Sequence, residues 1–333
     1  MRAIMLESAY GIDNLRLVER PDPTPGPGQI VVDIRAATLN YRDLATVTAP
    51  SGRTPFIPCS DGAGVVSAIG DGVTRVKVGD HVAPLFFQGW LAGDPTPERL
   101  GGALGGTLDG VLQERILLSE QGVTRVPAGY SDEEAATLPC AALTAWRGLV
   151  VQGQMKSGDV VVVQGTGGVS IFALQFAKAA GATVIVTSSS DEKLERARAM
   201  GADHFINYVA TPDWAKEVRR LTDNRGADHV VEVGGAGTFV QSLRAIRLGG
   251  KIAVIGILGG FVKDLNVAAI FGANAFIHGV TVGSREHFES MTRAIEANGI
   301  RPVIDKRFSL DQARDAFECM KAGAHFGKIL LTV

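Results

Sequence analysis

The chain has 333 residues, with 33 Lys and Arg against 35 Asp and Glu for a formal net charge of −2. That length suggests roughly two domains at about 150 residues each, and 46% hydrophobic with 20% charged residues is globular and excludes a disordered chain. The near-neutral balance leaves no basic field, so neither nucleic acid nor an anionic membrane surface is an expected partner.

No apolar run approaches the ~18 residues of a membrane span, and Met1 to Gly11 lacks the shape of a signal peptide. The three cysteines, Cys59, Cys140 and Cys319, are too few and too scattered for a disulfide framework, which points to a reducing cytoplasm. The first 130 residues read as short apolar segments between turns, an antiparallel and barrel-like texture. Pro21 to Gly28 is a loop; Val31, Val32 and Ile34, then Val65, Val66 and Ile69, predict strands. From Pro84 to Gly110 runs a Gly/Pro-rich connection of a length that is usually functional or mobile. Its aromatics Phe86, Phe87 and Trp90 are candidates to line an apolar cleft, with Phe87 and Trp90 the candidate substrate residues, the alternative being that they anchor the loop.

From Asp159 onward strands alternate with helices. Val160 to Val163 predicts a buried parallel strand, followed by a glycine loop and a helix over Val169 to Ala180. Thr183 to Thr187, Phe205-Ile206, His229 to Val233 and Lys251 to Ile255 predict further strands. Helices over Asp191 to Met200, Trp214 to Leu221 and Phe239 to Ile246 separate them. This order implies a parallel sheet with right-handed crossovers. Asp311 to Met320 and Ile329 to Thr332 predict a last helix and a closing strand.

The loop from Gln164 to Ser170 carries Gly165, Gly167 and Gly168 between strand and helix. Gly165 permits the tight turn and Gly167 lets backbone approach a pyrophosphate, which the N–H groups and dipole of the helix start then hold. Ser170 stands where a small Gly or Ala is usual. An ordinary strand-to-helix turn is the bland reading; the full β-α-β-α-β series favours a dinucleotide site. The second strand ends in Thr187-Ser188-Ser189-Ser190-Asp191-Glu192-Lys193, with hydroxyls where NAD-preferring folds place an acid for the ribose. Ser188, Ser189 and Lys193 suit a 2′-phosphate, so NADP is favoured over NAD, while Ser190 or Asp191 caps the next helix.

Asp61-Gly62-Ala63-Gly64-Val65-Val66, Val78-Gly79-Asp80-His81-Val82, Ala135-Ala136-Thr137-Leu138-Pro139 and Thr144-Ala145, together with the glycine loop and Lys193 to Gly201, carry a resemblance along nearly the whole chain. The sequence resembles the medium-chain dehydrogenase/reductase superfamily. The resemblance implies an α/β fold, a Rossmann doubly wound parallel sheet inserted in a mostly-β distorted-barrel (GroES-like) catalytic domain. Residues 1–138 and 284–333 would form the catalytic domain and 139–283 the dinucleotide-binding domain, with an active-site cleft between them and a dimer or tetramer in solution. It further implies that Val169 covers the pyrophosphate and Thr144 approaches the nicotinamide. Tyr208 joins the NADP pattern, and Val233 and Gly234 lie beside the adenosine ribose. Ile255, Gly256 and the stretch from Val280 to Val282 would meet the carboxamide. Lys328 would stand at a phosphate-facing position; a solvated edge lysine is the equal alternative.

The departures from the zinc-dependent branch are specific. Asn40 stands where the first zinc cysteine would be, Ser60 in place of the histidine and Asp61 in place of the glutamate; Cys140 alone remains at a ligand position. One soft ligand does not make a zinc site, which needs three protein ligands, so no zinc is expected. Cys59 and Cys140 then read as small buried apolar residues, the less favoured alternative having Cys59 slide inward to join Cys140 and Asp61. Asn40-Tyr41-Arg42-Asp43 resembles the zinc-free quinone and enoyl reductases instead. The reading is therefore hydride transfer from NADPH to a small quinone, enone or other activated carbonyl compound, with Asn40 and Tyr41 holding the developing oxyanion. A packed barrel tyrosine is an equal reading of Tyr41, and a structural ion pair is the reading of Arg42 and Asp43. An atypical zinc alcohol dehydrogenase and a non-catalytic NADPH-binding protein are the rival readings.

Overall fold

The computed structural model describes residues 1–49, 53–262 and 265–333. Two compact units emerge, Met1–Leu143 with Val282–Val333, and Thr144–Thr281. The first boundary thus falls after Leu143 rather than residue 138, and the second before Val282 rather than residue 284.

The second unit is a six-stranded sheet in the order His204–Asn207, Thr183–Ser188, Val160–Gln164, Ala227–Glu232, Ile246–Val254, Phe276–Gly279. Every neighbouring pair is parallel, as the strand–helix alternation predicts. Val161, Val162 and Val163 are all buried, as expected of a strand covered on both faces. Trp214 and Val218 of the helix Trp214–Leu221 pack with Ile206, Val230 and Ile252 in one core. The strand expected at Lys251 begins earlier, at Ile246, because Ile246 already pairs Ala227 before the register shifts and His229 pairs Lys251. Strand order reverses between Val160–Gln164 and Ala227–Glu232, so the carboxyl ends of these two strands flank the place where open parallel sheets bind ligands.

The first unit is mostly β. Its long strand Gln29–Leu39 pairs antiparallel with Asp61–Ile69, Arg115–Ser119 and Lys328–Thr332. Alternate residues Ile30, Val32 and Ile34 enter the core with Val66, Phe317 and Ile329. Phe317 comes from the helix Ala313–Ala322, whose buried Ala313, Ala316, Phe317 and Met320 form one face and whose end is closed by left-handed Gly323. The long connection from Pro84 to Gly110 is pinned rather than loose. Gln88 N donates to Gly102 O at 2.9 Å and Leu104 N to Phe86 O at 3.0 Å.

Candidate active site

In the second unit the glycine loop has the geometry its sequence implies. Gly165 sits at φ +71° and a Cβ there or at Gly167 would meet nothing within 4 Å, which leaves an open cradle above the loop. The helix Gly168–Ala179 starts from Gly167 with no side-chain cap, so its first-turn N–H groups have no side-chain acceptor. Ser170 is buried and donates to Gln164 O at 2.7 Å, tying the helix start to the strand end that precedes it. This bond is why a hydroxyl residue suits a position where a bare small residue is usual.

Behind the loop lies a buried polar network that the sequence reading missed. Glu232, fully buried at the end of its strand, accepts from Gln164 Nε2 at 2.8 Å, Gly234 N at 2.8 Å and Gly235 N at 2.9 Å, and from the hydroxyls of Thr238 and Ser242. Gln164 Oε1 in turn accepts from Val233 N at 3.2 Å. The network joins the two strand ends at the reversal point and shapes the Val233-Gly234 turn. The only hint in sequence is a carboxylate closing the apolar run His229 to Val233. Gly256 packs against the same turn so closely that a Cβ would lie 2.6 Å from Val233 O.

At the end of Thr183–Ser188, Ser190 caps the helix Asp191–Ala199 by accepting from Lys193 N at 3.3 Å. Ser188 is buried and accepts from Ser190 N at 3.2 Å, whereas Ser189 and Tyr208 are exposed. Asp191, the nearest acid, is engaged by Asn207 Nδ2 at 2.7 Å. Thr144 and Val280 are buried, and Val169, Lys193, Ile255 and Gly256 are half-buried. Val282, at the start of the other unit's second segment, holds φ +57°, a left-handed conformation unusual for a β-branched residue.

In the first unit, Asn40 ends the strand Gln29–Leu39 and caps the helix Tyr41–Thr48; its N–H donates to Asp43 Oδ2 at 2.8 Å. Arg42 donates to Asp43 Oδ1 at 3.0 Å and to the carbonyls of Leu104 and Gly105, the structural pair expected. Tyr41 is 50% exposed. Asp61 is fully buried and accepts from Ser60 Oγ at 2.8 Å and Cys140 N at 3.1 Å. Lys328 is not a solvated edge lysine: its side chain is 2% exposed, with Nζ donating to Leu39 O at 2.9 Å and Asn40 Oδ1 at 2.7 Å. Cys59 is buried at φ +76° and its thiol donates to Thr38 O at 3.3 Å, so it does not turn toward Cys140. Trp90 has no exposed surface and its Nε1 donates to Gly93 O at 2.9 Å; Phe87, also buried, packs beside it at 6.0 Å. Both aromatics act here as anchors of their loop, not as exposed lining.

Burial pushes the thiols of Cys59 and Cys140 up, well above the ordinary cysteine range. Burial also raises the Asp61 carboxyl above its ordinary 3.8, with the Lys328 ammonium pulling the other way. Among the described residues no three His, Cys, Asp or Glu side chains stand where they could hold a metal ion.

Two family models match: a zinc-binding dehydrogenase model over residues 168–297 and an alcohol dehydrogenase GroES-like domain over residues 26–128. A zinc-type alcohol dehydrogenase-like protein of Schizosaccharomyces pombe is 43% identical across 100% of this chain and 99% of its own. The chain belongs to the medium-chain dehydrogenase/reductase superfamily. Within this superfamily it is similar in structure to a putative alcohol dehydrogenase of Sinorhizobium meliloti, at TM-score 0.94 and 42% identity over 100% of this chain and 98% of that one. A quinone oxidoreductase of Pseudomonas syringae superposes at TM-score 0.85 with 29% identity, over 100% of this chain and 99% of the other. This medium-chain dehydrogenase/reductase is an NAD(P)-dependent oxidoreductase of the alcohol dehydrogenase and quinone oxidoreductase type.

Two predictions follow from the buried carboxylates. Glu232→Ala strands several buried donors and should cost about 3 kcal/mol in urea denaturation, together with weaker NAD(P)H binding in a fluorescence titration; Glu232→Gln, which keeps an acceptor oxygen, should lose less. For Asp61, a folded-state value above the ordinary 3.8 means that the folded chain binds the proton more tightly. The stability linked to Asp61 is therefore largest at low pH and is lost as pH rises through the elevated folded value. Asp61→Asn should flatten that part of the stability profile; an unaltered slope would remove Asp61 from it.

Proposed function

We propose that this oxidoreductase reduces quinones, enones or other activated carbonyl compounds with NADPH, in the cytoplasm and without a metal ion. The observation that carries this reading is the donor set at the end of the strand Gln29–Leu39: Asn40, Ser60, Asp61 and Cys140. Catalytic zinc needs three protein ligands and an open position, and its thiol ligands must be deprotonated. The set offers one thiol, held protonated by burial, one carboxylate, and two weak neutral donors. These residues do not fit zinc. With no Lewis acid to turn an alcohol into an alkoxide at neutral pH, a conjugated acceptor is the better substrate, because it delocalises the charge it receives.

The reduced coenzyme supplies a hydride. As the acceptor takes that hydride its oxygen gains a negative charge, which the Asn40 amide and the Tyr41 hydroxyl would stabilise, and the proton would come from Tyr41 or water. Asn40 supports this role by its place at the start of the helix that carries Tyr41; its Nδ2 is enclosed, with the Asp61 carboxylate beside it. Tyr41 supports it by its exposure. The preference for NADPH over NADH rests on the exposed Ser189 and Tyr208, on the neighbouring Lys193, and on an acid, Asp191, already engaged by Asn207.

We also propose a homodimer. The edge strand Phe276–Gly279 leaves one side of the sheet unpaired, and its Phe276 is 62% exposed beside Phe271, 83% exposed, in the helix Val267–Ala273. An apolar edge of this kind is normally covered, and a second copy offers the same strand in self-complementary fashion.

An NADPH oxidation screen over quinones, enones, enoyl thioesters and aldehydes tests the reaction. Turnover with quinones or enones, unaffected by chelator, is expected. Chelator-sensitive alcohol oxidation would establish the zinc dehydrogenase instead, and cofactor binding without turnover on any acceptor would make the chain a binding protein. Asn40→Ala combined with Tyr41→Phe should lower kcat about 100-fold while the NADPH dissociation constant is unchanged. Phe271→Glu with Phe276→Glu should convert the dimer to a monomer in sedimentation velocity.

A further inference from the structure

Lys328 opens the strand Lys328–Thr332, whose antiparallel pairing sets Ile329 opposite Leu39 and brings the lysine to the end of Gln29–Leu39. Lysine ordinarily keeps its ammonium in water while its stem packs. Here the whole side chain is enclosed, and Nζ meets three oxygens: Leu39 O at 2.9 Å, Asn40 Oδ1 at 2.7 Å and Asp61 Oδ2 at 3.8 Å. Two of the ammonium's three donor directions are taken by hydrogen bonds, and the Asp61 carboxylate stands at ion-pair distance. The other buried carboxylate nearby, Asp43, is already matched by Arg42 at 3.0 Å, which leaves Asp61 as the charge that Lys328 answers. A carboxylate, an amide oxygen and a backbone carbonyl converging on one point are the kind of shell that surrounds a hard cation.

We propose that the Lys328 ammonium holds the cation position of this centre, turning Oδ1 of Asn40 toward Nζ and keeping a divalent ion away from the Asp61 carboxylate. Lys328 is then a positioning residue. Its bond to Oδ1 fixes which way the Asn40 amide faces, with Nδ2 on the side of the Asp61 carboxylate, and an amide polarised by an ammonium donates more strongly. This inference rests on the metal-free reading of the site and deepens it.

Cobalt(II), followed by its visible absorption, tests the proposal on the full chain. Wild type should give no saturable band. Lys328→Ala should bind cobalt at least about tenfold more tightly than wild type, and Lys328→Ala with Asp61→Asn should lose that gain. Lys328→Ala that takes up no cobalt, while the NADPH reaction stays insensitive to chelator, overturns the role of Lys328 and leaves the metal-free reading standing. Wild type that binds cobalt as tightly as Lys328→Ala overturns both. Should Lys328→Ala fail to fold, ¹⁵N-lysine-labelled wild type decides: the Lys328 ammonium resonance should be protected from exchange and should persist with one equivalent of cobalt. Its selective loss on adding cobalt would overturn the proposal.

Discussion

A carboxylate taken out of water must be answered by donors or by a cation, and Glu232 and Asp61 show two ways of meeting that demand, one in each unit. Glu232 is answered by neutral groups: a side-chain amide, two backbone N–H groups and two hydroxyls. Asp61 is answered by a hydroxyl, one backbone N–H and the ammonium of Lys328. The local backbone follows from these demands. The Val233-Gly234 turn folds back over Glu232, and the chain around Cys140 is drawn onto Asp61. Removing either carboxylate would leave polar groups facing one another without a partner.

The two solutions differ in what they leave available. The Glu232 network consumes its donors, so the glycine loop above it rests on a rigid base while Gly165 and Gly167 stay open. The Asp61 centre is more asymmetric. Its cation is tethered to one strand, its carboxylate begins another, and Asn40 is held between them at a helix start. Asn40 thus joins the charge centre to the first turn of the helix that carries Tyr41.

Much of the second unit was legible because its signals are local. A valine run, a glycine loop and a helical period occupy consecutive residues, and Ser190 caps its helix as the sequence suggested. Glu232 and Gln164 were not legible, since they come from strands 68 residues apart that meet only after the sheet is formed. The antiparallel strands of the first unit were visible, yet the fate of Lys328 was not. Nothing within a few residues of it distinguishes a solvated edge lysine from an enclosed one; Asn40, 288 residues earlier, makes the difference. Trp90 misled for a related reason: an aromatic in a glycine-rich stretch looks the same whether it faces a substrate or is buried under its own loop.

The enclosed ammonium of Lys328 also bears on how the protein comes to maturity. A charge carried on a side chain arrives with translation, at fixed stoichiometry, and needs neither delivery by a metal carrier nor competition against other ions in the cell. On the metal-free reading proposed above, such a centre would stay intact through metal starvation, at the expense of a charge whose strength cannot be tuned by exchanging the ion.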